Sequence, residues 1–154
     1  MFKLQEILKF SANDVKLMAK NTVSRHKKQI AEGKDFENKP FTPYSIGYAK
    51  RKGVNRSAVN LKLTGKMLNA FDVQRTKVKK NQEIQYLYGI KKNKQGTKMM
   101  EHSTGVPEKK LPKRSIAEDQ QLGNDVEEGV VKDFANIIGK NLSRMSKTHV
   151  KLNI

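Results

Sequence analysis

The chain has 154 residues, with 32 Lys and Arg against 15 Asp and Glu, and a formal net charge of +17 at pH 7. It contains no cysteine, which excludes disulfide frameworks, zinc sites built on thiolates and cysteine nucleophiles. Residues 1–100 carry 23 Lys and Arg against 7 Asp and Glu, whereas residues 101–154 carry 9 against 8. This uneven distribution of positive charge favours polyanions or acidic protein surfaces as partners.

The length fits one structural domain over residues 1–154. The first stretch, MFKLQEILKF, has neither the apolar run nor the cleavage site of a secretory signal. No segment approaches the roughly 18 apolar residues that a membrane span needs. We therefore expect no membrane partner and a chain that stays in the cytoplasm of the cell that makes it.

The first segment has the periodicity of a helix. Apolar residues from Leu4 to about Ile30 recur close to every 3.6 residues, which predicts an amphipathic helix. The stretch SAND, Ser11–Asp14, offers a point where a helix can restart, because Ser or Asn can cap it and the acid then lies in its first turn. Gly33 is expected to end this segment.

A long loop is predicted at residues 34–62, with one short helical turn after its second proline. Within it, KPFTPYSIGYAKRKG contains Phe41, Tyr44 and Tyr48. The two tyrosines are four residues apart and can share one face of a turn. This spacing predicts aromatic anchors that fix the loop on the body of the protein. Exposed stacking of nucleic-acid bases is the alternative.

The segment LKLTGKMLNAF predicts a short helix. Thr64 can cap it, and Met67, Leu68 and Phe71 are expected to point inward.

A β-hairpin follows. Ile84, Tyr86, Tyr88 and Ile90 alternate strictly with other residues, KKNQ makes a polar turn, and the strand before the turn alternates poorly. The basic residues around the turn either contact DNA or a partner or form a solvated turn that protects a sheet edge. These residues are Arg75, Lys77, Lys79 and Lys80.

The remaining sequence predicts further helices. After a connection at residues 91–96, TKMMEHSTG predicts one or two helical turns that end at Gly105. Two prolines exclude a helix in VPEKKLPKR. An apolar stripe from Val126 to Met145 predicts a long last helix, with a C-terminal tail from about residue 147 to 154. The fold class is therefore α+β: a small antiparallel sheet packed with a long N-terminal and a long C-terminal helix, and a long irregular loop.

The sequence offers no convincing catalytic group. His26 has the position of a packing residue, and His102 precedes Ser103 without a glycine elbow or a partner acid. Glu127 and Glu128 are adjacent in a helix, so they diverge by about 100° and cannot easily work as a pair. Phosphate-binding glycine motifs are also missing from the sequence. We expect no enzyme, no cofactor and no metal site.

Several stretches together resemble a known family. They are FTPYSIGYAKRKG, LTGKMLNAF, a hairpin ending in YLYG, MMEHSTG and LPKR. In this order they resemble the neck or tail-completion proteins of tailed bacteriophages, often called the virion morphogenesis family. The resemblance covers about residues 35–120. The chain departs from the family pattern where Ser115 and Ile116, rather than Pro and an aromatic residue, follow the last motif.

The resemblance implies a non-enzymatic structural protein of the virion, made and assembled in the host cytoplasm. It implies a homo-oligomeric ring at the head–tail junction or the head-proximal end of the tail, in contact with neighbouring neck and tail proteins and with genomic DNA in the channel. It also implies a structural role for the motif residues Thr64, Gly65, His102, Gly105, Pro112 and Arg114. The alternative is a basic nucleic-acid-binding protein that uses the first two thirds of the chain directly.

Overall fold

The computed structural model describes residues 7–59, 61, 65–80, 83–116 and 124–152, with the side chains of the last helix described for 126–146. Its helices are α1 (Ala12–Ala31), α2 (Ile46–Lys52), α3 (Lys94–Thr104) and α4 (Asn124–Leu152), and its strands are β1 (Phe71–Val78) and β2 (Ile84–Ile90). Short 3-10 turns lie at Leu68–Ala70 and Pro107–Lys109. The two strands pair antiparallel. The predicted α+β class is confirmed.

Helix α1 begins where the sequence predicts a restart. The hydroxyl of Ser11 accepts a hydrogen bond from the amide of Asp14, and the carboxylate of Asp14 accepts one from the amide of Ser11. This reciprocal capping box satisfies two amides that the helix itself cannot. Lys9 and Phe10 are not helical, so the predicted helix is not continuous through them. Residues 1–6 lie outside the described part. Gly33, with φ of 81°, follows the helix end as expected.

The hairpin explains the poor alternation of its first strand. Phe71 pairs with Ile90, and the register shifts between Val73 and Arg75, so that Gln74 forms a β-bulge. A bulge inserts one residue and reverses the inward and outward order beyond it. The predicted turn contains Lys79 and Lys80, and its next two residues lie outside the described part.

Helix α1 is the central layer of the fold. The inner face of the hairpin and helix α4 both pack against it. Arg25 of α1 makes a bidentate ion pair with Asp133 of α4, with Nη1 to Oδ2 of 2.8 Å and Nη2 to Oδ1 of 3.0 Å. Asn141 donates to the backbone oxygens of Ile7 and Lys9. Going along the chain towards α4's C-terminus, its residues contact progressively earlier residues of α1 and of the stretch before it. Helices α1 and α4 therefore run antiparallel.

Three other predicted elements differ from the structure. The short helix in LKLTGKMLNAF is only the 3-10 turn, because Phe71 already pairs in β1, although Leu68 and Phe71 are buried as predicted. Helix α3 starts earlier than predicted because Asn93 caps it, accepting from the amides of Gln95 and Gly96. The connection predicted for residues 91–96 is therefore shorter. Helix α4 continues to Leu152, which includes most of the predicted tail.

Candidate functional site

Four of the residues that the sequence singled out meet at one place: Arg114, His102, Tyr44 and Tyr48. The side chain of Arg114 is only 4% exposed. Its backbone amide donates to the backbone oxygen of His102 at 3.0 Å, and its guanidinium Nη1 lies 2.9 Å from Nδ1 of the same histidine. Nη2 donates to the backbone oxygen of Thr42 at 3.5 Å. The end of α3, the long loop and the LPKR segment are thus joined by one side chain.

The imidazole accepts the hydrogen bond in this arrangement. Burial, with a smaller contribution from the Arg114 charge, lowers the pKa of His102 to about 4, so the ring is neutral near pH 7. A guanidinium can only donate. Nδ1 of His102 is therefore the acceptor, and the ring proton is on Nε2. A neutral imidazole avoids placing a second positive charge beside a buried one.

One aromatic residue of the loop, Tyr44, stacks on this arginine. The guanidinium carbon of Arg114 lies 5.5 Å from the ring centre of Tyr44. The rings of Tyr44 and Tyr48 are 4.9 Å apart, and the guanidinium of Arg51 lies 5.9 Å from the ring of Tyr48. Two neighbouring rings thus lie between two cations, with the exposed Arg51 at one end and the buried Arg114 at the other. We call Tyr44, Tyr48, Arg51, His102 and Arg114 the arginine–tyrosine cluster.

The cluster contains no carboxylate. No described Asp or Glu forms an ion pair with Arg114, and its Nε has no hydrogen-bond partner among the described residues. Burial lowers the pKa of Arg114, as expected for a cation removed from water. The faces of the rings, an imidazole nitrogen and a backbone oxygen replace the usual acid. This arrangement holds the loop in place by weak contacts that depend on geometry.

The other predicted anchors also lie in the body of the protein. Phe41 is 5% exposed and belongs to the hydrophobic core. Burial raises the pKa of the Tyr44 phenol, and Tyr48 is half-buried. The stretch quoted above is therefore packed on the protein rather than presented as an open platform of rings.

The glycine at the end of α3 has a steric reason. Gly105 has φ of 78°, and a Cβ there would lie 2.8 Å from the backbone nitrogen of Lys113. Just after it, the backbone amides of Val106 and Leu111 each donate a hydrogen bond to the backbone oxygen of the other residue, which forms an isolated antiparallel bridge. This return brings the chain through the half-buried Pro112 to the buried arginine. Gly65 has φ of 67° with open space around it, and Thr64 lies outside the described residues.

The basic residues of the hairpin form a second surface. Arg75 pairs with Leu87 and Lys77 with Gln85, and all four side chains are exposed on the hairpin face turned away from α1. Lys79 differs, because its ammonium lies 2.8 Å from both carboxylate oxygens of Glu83. Lys80 is exposed at the turn. The charge that remains available around the turn is therefore carried by Arg75, Lys77 and Lys80.

His26 has the packing role that its position predicted. It is buried against the rings of Phe71 and Tyr88, and its Nε2 lies 3.2 Å from the hydroxyl of Tyr88. Burial lowers the pKa of His26 to about 4 and raises that of Tyr88 to about 12. Both groups are therefore uncharged near neutral pH.

Sequence reasoning missed a shallow groove beside α2. The groove has a volume of about 400 Å³ and is formed by α2 and the chain that follows it. The residues that line it are Ile46, Ala49, Lys50, Gly53, Val54 and Arg56. One sequence signal could have indicated it: Ile46 is a large apolar residue directly after the Ser45 cap, and it is 60% exposed.

Comparison with known proteins adds no relative: no protein-family model, curated protein or solved structure matches the chain. Within the described ranges, no group of three or more His, Asp or Glu side chains is placed to hold a metal ion. None of the helices in that part of the chain combines the length and the apolar character needed to cross a membrane.

Proposed function

We propose that this protein is a structural subunit of a tailed-bacteriophage virion. In this proposal, copies of the chain assemble into a ring at the head–tail junction or at the head-proximal end of the tail, and the ring joins head to tail. The role needs no catalytic step and no cofactor.

One observation carries the proposal. Three stretches of the resemblance meet in the arginine–tyrosine cluster, and residues 54–98 separate the first of them from the other two. Tyr44 and Tyr48 come from the loop, His102 from the end of α3 and Arg114 from the LPKR segment. Chance matches to short motifs give no reason for the matched residues to contact one another. The contacts therefore support treating the motifs as parts of one structural unit rather than as separate coincidences.

The cluster also supports a scaffold role for the loop. It fixes the loop at Tyr44, whereas helix α2 continues outward with Ile46, Lys50 and Lys52 exposed. A segment that is fixed at its base and exposed at its tip is suited to contact a neighbouring subunit. Association of this kind needs no large hydrophobic patch on the free chain.

The test is direct imaging of the purified full-length chain. Negative-stain electron microscopy and native mass spectrometry should show closed rings with a single subunit number, since a head-to-tail contact closes into a ring when its rotation completes a circle. Measurements over a range of protein concentrations separate specific association from aggregation. A chain that stays monomeric at every concentration, even with virion neighbours added, would contradict the proposal.

The outer face of the hairpin favours a second candidate function, direct binding of nucleic acid. Arg75, Lys77 and Lys80 have no ion-pair partner among the described residues, and Gln85 and Leu87 lie beside them. A dedicated binder should form discrete complexes with DNA whose affinity falls steeply with salt. If the wild-type chain forms such complexes and never assembles with itself, the nucleic-acid function is preferred over the ring.

A further inference from the structure

The groove beside α2 combines an apolar surface with positive charge. Ile46, Ala49 and Val54 supply its apolar part, and Lys50 and Arg56 supply two cations. The Nε of Arg56 donates to the backbone oxygen of Tyr44 at 2.9 Å, which orients the guanidinium while its side chain stays exposed. The chemistry of this groove fits an apolar side chain flanked by carboxylates.

Most acidic side chains of the described residues are already engaged within the chain. Ion pairs or hydrogen bonds occupy the carboxylates of Asp14, Glu32, Asp35, Glu37, Asp72, Glu83, Glu101 and Asp133. The carboxylates of Glu108, Glu127 and Glu128 form no such contact with another described residue, and all three side chains are exposed. Among the described side chains, these three are therefore the acids available to an external cation.

Two of these acids share a helix face with an exposed apolar residue. Val131 follows Glu127 by four positions and Glu128 by three, so the three side chains lie together on α4. Val131 is 63% exposed. The opposite face of α4, which includes the buried Asp133, packs against α1. An apolar residue beside two carboxylates is thus presented to solvent.

We propose that the groove of one copy of this chain binds the Glu127–Val131 face of α4 from a second copy. Val131 enters the apolar part of the groove, and Glu127 and Glu128 pair with Lys50 and Arg56. The inference rests on the proposed function and deepens it, because it names the contact that joins neighbouring subunits. Complementary charge selects the partner and the orientation.

The position of the two surfaces is compatible with a ring. Helix α4 packs against α1, and α2 is not among the elements that pack extensively against α4 in the described part of the chain. One copy can therefore use its groove and its acidic face at the same time. A contact between two different surfaces propagates head to tail, and it forms a closed ring when its rotation completes a circle and an open filament when it does not.

The experiment uses two charge-reversal variants of the full chain. The acidic-face variant carries Glu127→Lys and Glu128→Lys, and the groove variant carries Lys50→Glu and Arg56→Glu. Each variant alone should self-associate at least tenfold more weakly than wild type, because like charges then meet at every contact. An equimolar mixture should regain assembly, because each remaining interface pairs opposite charges. Mass photometry and sedimentation velocity measure the size distribution, and circular dichroism checks the fold.

A matched control separates the local effect from net charge. Lys16→Glu with Lys20→Glu makes the same change in net charge as the groove variant at exposed positions of α1. This control should assemble like wild type. If a reversal variant does not fold, Gln replaces Glu127 and Glu128, or Lys50 and Arg56, and the expected result is a smaller but measurable loss of association.

Each outcome decides between the contact and the ring. If wild type forms rings and both variants assemble as well as wild type, or their folded mixture stays monomeric, the contact is overturned and the ring proposal stands. If the mixture restores association but imaging of wild type shows open chains or pairs, the proposed contact is supported and the proposed ring is overturned. If the folded wild type does not associate at all, both proposals are overturned.

Discussion

The interaction between Tyr44 and Arg114 gives the sharpest test of how the loop is held. The guanidinium carbon of Arg114 lies 5.5 Å from the ring centre of Tyr44, within the range of about 6 Å in which a cation is attracted to a ring face. The arginine is buried, so water screens this attraction little. We therefore expect about 1–2 kcal/mol of coupling between the two side chains.

A single substitution would not reveal this energy. Replacing Arg114 by Met removes the hydrogen bond to His102, which is worth about 1.5–3 kcal/mol for a charged donor. The same change also removes the cost of burying a cation that has no carboxylate partner. These two effects oppose each other, so the net change in unfolding free energy carries little information.

A double-mutant cycle isolates the pair. Tyr44→Leu, Arg114→Met and the double variant are compared with wild type by urea unfolding, followed by far-ultraviolet circular dichroism. Tyr48 and Arg51 provide a matched control, because their cation–ring distance is 5.9 Å but the arginine is exposed. The control cycle should give about 0.5 kcal/mol or less. Coupling at the buried pair that is no larger than in the control would refute the reasoning.

Three further predictions concern other parts of the fold. Acidification should destabilise the chain, because burial lowers the pKa of His26 to about 4. The unfolded chain takes up the proton first, at about pH 6.5, so the unfolding free energy should fall as the pH drops from about 6.5 to 4. For this group the loss is at most about 3 kcal/mol. His26→Gln should lose this part of the slope in urea titrations between pH 7 and pH 4, and an unchanged slope would argue against it. Gly105→Ala should lower the unfolding free energy by about 1–3 kcal/mol in thermal melts, since φ is 78° and the new Cβ would lie 2.8 Å from a backbone nitrogen. A melting temperature equal to that of wild type would show that the chain between α3 and Arg114 is not tightly fixed. Replacing Arg75, Lys77 and Lys80 by Gln should change stability by no more than about 0.5 kcal/mol but reduce the yield of infectious particles, and normal infectivity would mean that the basic turn is only a solvated edge.

The sequence predicted those elements that depend on residues close together in the chain. Ser11 and Asp14 are three residues apart, and a capping box needs only that spacing. Tyr86 and Tyr88 alternate with exposed residues because one side of β2 packs on α1. The β-bulge at Gln74 was not predicted, because its position depends on the pairing of two strands and not on one of them.

Contacts between segments that are distant in the sequence could be identified only from the structure. The resemblance included both His102 and Arg114, but it did not indicate that they form a hydrogen bond or that Tyr44 stacks on the arginine. The groove at Ile46 was also missed, because one exposed apolar residue at the start of a seven-residue helix has no periodicity that marks it. A surface of this kind becomes visible only when the chain after α2 returns beside the helix.

The excess positive charge has a consequence for both proposals. The net charge of +17 already counts every acid of the chain, so contacts within the chain cannot compensate it. Subunit contacts through Glu127 and Glu128 would use only two cations of each neighbour. The exposed cations on the outer face of the hairpin would remain available after assembly. A ring therefore leaves a surplus of charge for a polyanion or an acidic neighbour, and the two candidate functions differ in whether self-association comes first.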